Sequence, residues 1–266
     1  MLNQVSLGRY YPGTSILHQL DPRVKIILSF LYMAVVFIVQ SWVPMLLLGV
    51  ATLFLIFLSR VPFRYVLSSI KPILFILIFA FVINLFSIKG TPIVTIGPIV
   101  ISDKGLYTAI RMAFRLIFLI IGTTLFLTLT TTPILVADAV ESLLKPLSKI
   151  GFPAHEISMM MSIALRFVPT LLEETDKIMK AQSSRGADYD TGGLIAKAKG
   201  LVSILIPLFV SAFKRAEDLA IAMEARCYRG GEGRTRLKVL RCGKKDILFA
   251  VFMTLLCLVI ILIQYL

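Results

Sequence analysis

"PILFILIFAFVINLFSI" occupies residues 72–88 and carries no charged side chain. At about 1.5 Å of rise per residue such a stretch is roughly 26 Å long, close to the thickness of a hydrocarbon core. A water-soluble domain has little use for a helix apolar on every face, so the stretch is read as a membrane span. Comparable stretches lie at 24–40, 43–59, 112–131 and 247–266, the last reading "ILFAVFMTLLCLVIILIQYL". The 266-residue chain is 58% hydrophobic, above the share usual for soluble domains. The predicted fold class is an all-α integral membrane protein with about five transmembrane helices and a large cytoplasmic helical domain.

Charge sets the orientation. The turn between the first two spans is uncharged, whereas the N-terminal arm with Arg9, Arg23 and Lys25 and the 60–71 loop with Arg60, Arg64 and Lys71 are basic. The positive-inside rule puts the N-terminus and the 60–71 loop in the cytoplasm. The 89–111 loop, a β-branched run with Pro92, Gly97 and Pro98, then falls outside. Eighteen of the 28 Lys and Arg lie between Lys145 and Lys245, after the fourth span has returned the chain inside. The net charge of +13 is therefore assigned to topology and anionic lipid, with no nucleic-acid partner. Arg234, Arg236, Lys238, Arg241, Lys244 and Lys245 are expected beside headgroups at the mouth of the last span. Cys227, Cys242 and Cys257 have no metal-ligand spacing and are expected to be free thiols.

Three regions follow: a membrane domain at 1–131, a cytoplasmic helical domain at 132–245, and a C-terminal span at 246–266. In the cytoplasmic region, Val136, Val140, Leu143, Leu144, Leu147 and Ile150 form one apolar face that Gly151 and Pro153 end. A second helix runs from about 154 to Gly186. A third, starting near Leu201, contains the apolar stretch 200–213, which is short and flanked by Lys197, Lys199, Lys214 and Arg215. It is read as membrane-associated rather than crossing.

The second and third helices end alike. Ala181 is followed by Ser184-Arg185-Gly186, and Ala222 by Ala225-Arg226-Cys227, with Arg229-Gly230 just beyond. A cation at a helix end meets the partial negative charge of the last carbonyls, so each arginine is at minimum a helix cap. Two such ends, each with a planar five-donor guanidinium, also suit binding to paired acidic grooves. The third helix could stop at Cys227 or run on to Gly230.

These stretches, "AQSSRGAD" and "SAFKRAEDLAIAMEARCYRGGEGRT", resemble the transmembrane coupling subunit of energy-coupling factor (ECF) transporters, over nearly the whole chain. The resemblance implies that the cytoplasmic region is a coupling domain. Its two motifs, Ser184-Arg185-Gly186 and Ala225-Arg226-Cys227, would each dock on one of two ABC-type ATPase subunits, supported by Ala181, Ala222, Arg229 and Gly230. It also implies a separate substrate-binding integral membrane subunit, a place in the cell membrane, and uptake of a vitamin or other micronutrient, including a transition metal ion. The chain has no G-x-x-x-x-G-K-[ST] stretch, so it is expected to bind no cofactor itself, ATP and Mg residing on the partners. It is expected not to be an enzyme. The alternative is a stand-alone ion- or proton-driven permease, which would require mid-membrane acids or histidines that the spans lack.

The remaining polar residues have plainer readings. His18 and His155 are ordinary polar histidines, Asp138 and Glu141 a solvated face, and Glu173, Glu174, Asp176, Lys177 and Lys180 another. Met159, Met160 and Met161 are flexible packing or an adaptable surface. Arg115 is expected to snorkel outward and Asn84 to bond across helices.

Overall fold

A computed structural model describes residues 10–88, 90–96, 99–146, 153–186, 193–230 and 242–266. Among them, four helical stretches are long and apolar enough to cross a membrane: Trp42–Ser59, Phe63–Ser87, Asp103–Leu129 and Lys244–Tyr265. The predicted helical membrane fold is what the structure has. Its described residues fall into two units, one within 10–139 and 242–266, the other within 140–230.

The first unit is the membrane part. A short helix α1 (Ile16–Gln19) leads into α2 (Pro22–Ile38), where Asp21 caps the start by accepting from the Arg23 amide and proline sits at the first position. Helix α3 (Trp42–Ser59) follows and ends at Arg60, whose φ of 52° is left-handed. Residues 60–71, expected as a basic loop, are instead mostly helix. Helix α4 (Phe63–Ile70) passes through a 3-10 turn at Lys71–Ile73 into α5 (Leu74–Ser87). Pro72 lacks an amide hydrogen, which locally tightens the helix without ending it.

Between α5 and the next helix lies an antiparallel hairpin, β1 (Pro92–Ile96) with β2 (Ile99–Ser102), in the register Thr95 opposite Val100. The β-branched run favours strand, and it is a local exception in a helical chain. Gly97 and Pro98 lie outside the described residues. Helix α6 (Asp103–Thr123) starts nine positions before the expected span, capped by Ser102, and continues as a π-helical turn at Thr124–Leu129. After α7 (Pro133–Leu144), which reaches into the second unit, α10 (Lys244–Tyr265) returns to pack on α2 and α3. Helix α7 stops at Leu144 because Pro146 cannot continue it. Leu147, Ile150 and Gly151 lie outside the described residues.

Helix α2 is enclosed. Tyr32, Val35 and Val36 pack with Leu125 and Phe126 of the π-helical turn and Met253 and Cys257 of α10. Lys25, counted in the sequence among basic arm residues, is 1% exposed. Its ammonium donates to the Thr130 carbonyl at 2.9 Å and to Thr131 Oγ1 at 3.1 Å, which ties the start of α2 to the end of the α6 stretch. Arg115 and Arg111 donate to the carbonyls of Val39 (2.6 Å) and Gln40 (2.9 Å), gripping the far end of α2. Asn84 does not bond across helices: it donates to the Ala80 carbonyl one turn back in α5. His18 is tied locally to Ser15 Oγ and the Tyr11 carbonyl. All three cysteines are free thiols, Cys257 buried and the others exposed.

The second unit holds α8 (Ala154–Ser184) and α9 (Leu194–Ala225). The apolar stretch 200–213 is the middle of one continuous 32-residue helix and is not among the candidate spans. Leu201, Leu205, Phe209 and Phe213 are exposed along one face of it.

Candidate functional site: two arginine-bearing helix ends

Helix α8 ends at Ser184 with Arg185 as its C-cap, and α9 ends at Ala225 with Arg226 as its C-cap. Beyond Arg185, Gly186 has φ of +85° and its amide bonds the Ser183 carbonyl at 3.0 Å. Beyond Arg226, Cys227 takes the same left-handed role with φ of 56°. Its amide bonds Glu224 O at 2.8 Å, and the Tyr228 amide bonds Met223 O at 3.0 Å. Those two bonds define a Schellman stop, which satisfies orphan carbonyls from the backbone alone. The helix therefore stops at Cys227; Gly230, φ +85°, makes a further turn.

This closure bears on what the arginines do. Neither Arg185 nor Arg226 has a side-chain hydrogen bond or ion pair among the described residues, and both are exposed. With backbone amides already closing the helix ends, the guanidiniums remain free to donate elsewhere. Ala181 and Ala222, one turn earlier, are exposed and leave the arginine's helix face uncrowded.

A left-handed non-glycine residue costs about 1 kcal/mol. Cys227→Gly is accordingly expected to raise stability by up to about 1 kcal/mol, after glycine's unfolded-state entropy is deducted, while leaving function intact. Thermal unfolding of the detergent-solubilised variant tests this, and a lowered transition temperature would contradict it.

What holds the two helices together was not visible in the sequence. Glu174, read as part of a solvated face, accepts from Ser211 Oγ at 2.6 Å and from Arg215 Nη2 at 2.5 Å and Nε at 3.1 Å, all on α9. Ser211 and then Arg215 hold its carboxyl below the usual carboxylate range. On one side of this tie, Met159, Ser162 and Arg166 of α8 share a cleft of about 670 Å³ with Met223, Arg226 and Arg229. The helices thus run antiparallel. Arg185 follows Glu174 by eleven positions and Arg226 follows Arg215 by the same eleven. At 1.5 Å per residue, each arginine is about 16 Å from the tie in opposite directions, so the two are on the order of 30 Å apart along the helices. Arg166 is a further member of the Arg226 end that sequence spacing gave no reason to select.

A depressed carboxylate pKa contributes stability that is present above the unfolded value and lost as pH falls through the folded one. Glu174→Gln is therefore expected to lower the unfolding temperature at neutral pH, with the gap to wild type closing below about pH 4. A pH-independent gap would mean that the ion pair is not its source.

Comparison with known proteins decides the family. Residues 13–237 match the CbiQ family, described as cobalt transport protein. A protein of Ruminiclostridium cellulolyticum called energy-coupling factor transporter transmembrane protein EcfT is 54% identical over 96% of this chain and 96% of its own length. The chain belongs to the EcfT family. Proteins with the same description from Clostridium kluyveri, at 53% identity over 92% of each chain, and Bacillus subtilis, at 48% over 92% of this chain and 93% of that one, agree. An EcfT-family chain is a membrane subunit of a transporter, which accounts for the apolar helices. The paired arginine ends are the feature that the membrane setting alone leaves unexplained.

Proposed function

We propose that this chain is the coupling subunit of an ATP-driven importer. It transmits motion from two ABC-type ATPase subunits, which hold ATP and Mg, to a separate membrane subunit that binds a vitamin or other micronutrient, including a transition metal ion. The observation that supports this reading is the pair of helix ends, each closed by a left-handed residue just past an exposed arginine that has no partner among the described residues, set at equal distances from one cross-helix tie. Two such ends suit two copies of similar grooves better than they suit a single ligand. Ser184, Arg185 and Gly186 would meet one ATPase and Ala225, Arg226 and Cys227 the other, with Arg166 and Arg229 beside the second. Affinity purification of the full-length chain from its native membrane is expected to bring down ATPase polypeptides and a second membrane protein, and to support ATP-dependent uptake in proteoliposomes. Recovery alone, with uptake driven by an ion gradient, would overturn this in favour of a permease.

The chain is proposed to be multi-pass in the cell membrane, with its N-terminus and the α8–α9 unit cytoplasmic and its C-terminus outside. Thr91 and Leu266 are both exposed. In a background without the native cysteines, Thr91→Cys and Leu266→Cys should both be labelled by an impermeant reagent from outside. Protection of Leu266→Cys would require an additional crossing.

A further inference from the structure

A groove of about 790 Å³ opens in the membrane unit between α1, the end of α3 and the start of α10. Its walls are Phe54 and Leu58 of α3 and Leu248 and Phe252 of α10, and at its mouth stand Lys244 and Lys245. Phe54 and Phe252 meet at 5.9 Å between ring centroids, at the end of the groove farthest along α10 from the two lysines. Phe252 lies eight residues along α10 from Lys244, so the groove descends about 12 Å from the cations into apolar depth.

Neither lysine has an ion-pair partner among the described residues, and both are exposed. The carboxylate beside them, Asp246, is 7% exposed and already engaged: it accepts from the Asp21 amide at 2.9 Å and the Gly243 amide at 2.7 Å. It faces the backbone, leaving the mouth cationic. Leu248, in contrast, is 74% exposed and Phe252 44%, a degree of apolar exposure that water disfavours and lipid does not.

We propose that this groove is a binding site for one anionic phospholipid, its phosphate between Lys244 and Lys245 and its acyl chains against Leu58, Leu248 and Phe252. Cationic mouth, apolar walls and a depth matching the step from headgroup to hydrocarbon are the complement of such a molecule. The four basic residues just before it in sequence, Arg234, Arg236, Lys238 and Arg241, lie outside the described residues and are not needed for the site.

Tryptophan quenching by brominated lipid tests this in the full chain. The natural Trp42 sits at the opposite end of α3, so Trp42→Phe with Leu248→Trp moves the reporter into the groove; Phe252→Trp is a second reporter should the first not fold. In phosphatidylcholine vesicles containing a minority of phosphatidylglycerol, brominated phosphatidylglycerol should associate at the groove at least about fivefold more strongly than brominated phosphatidylcholine. Lys244→Gln with Lys245→Gln should remove that preference, and the native Trp42 protein should show none. Equal quenching by the two lipids, or a preference that survives the double substitution, overturns the proposal. So does its abolition by inorganic phosphate at matched ionic strength, which would make the site one for a free anion.

Discussion

Arg185→Glu combined with Arg226→Glu is expected to give a chain that inserts in the membrane and binds no ATPase. Both guanidiniums are exposed and unpartnered among the described residues, and at Arg226 the Schellman bonds already satisfy the helix carbonyls. If the arginines served only as caps, losing both would cost about 1–2 kcal/mol, read as a lower unfolding temperature with any complex still assembled. If each is buried in an acidic groove on a partner, removal leaves the partner's group unpaired at about 2–5 kcal/mol per site. Two sites together then reduce association by several orders of magnitude. The paired lysine substitutions should fall between, because an ammonium cannot reproduce a bidentate guanidinium contact. ATPase recovered with the charge-reversed chain at wild-type yield would return both residues to the role of caps.

The largest effect on the fold itself is expected at Gly122 of α6, where it passes α2. A Cβ there would lie 2.1 Å from Cε1 of Tyr32 and 2.7 Å from Cδ1 and Cζ. The ring cannot swing aside freely: it is 2% exposed, and its hydroxyl is hydrogen-bonded with Thr52 Oγ1 at 2.8 Å and the Phe118 carbonyl at 3.2 Å. Gly122→Ala must therefore part the helices or eject the ring, an overpacking cost of about 1–3 kcal/mol plus about 1–3 for hydrogen bonds left unmade. Against a total stability of about 5–15 kcal/mol this should sharply lower the unfolding temperature and the yield. Tyr32→Leu in the same chain should recover part of the loss by vacating the space. An alanine variant as stable as wild type would show that the helices do not approach this closely.

Apolar length made the membrane spans legible, since bilayer thickness leaves few other readings for a stretch such as 72–88. Helix α4 was less visible because Arg60, Arg64 and Lys71 report which side of the membrane a segment occupies, and that signal is the same for loop and helix. The buried Lys25 and the Glu174–Arg215 tie were hidden for a different reason. Their partners lie 105 and 41 residues away in sequence, and a single chain read locally carries no record of such pairings. The helix ends at Arg185 and Arg226 were legible because capping is local. At Cys227 even that signal was ambiguous, since the side chain does not announce the left-handed conformation that glycine would.

The equal spacing of the two arginines from the Glu174–Arg215 tie has a mechanical consequence. Arms of about 16 Å on either side of a common fulcrum make the antiparallel pair a balanced lever, in which about 10° of rotation of either helix sweeps its tip through about 3 Å. Opposed pulls of equal size on such tips would form a couple, which leaves no net sideways drag on the chain and turns both helices in the same sense about the tie. A symmetric pair of motors could in this way drive an asymmetric single chain without displacing it in the bilayer.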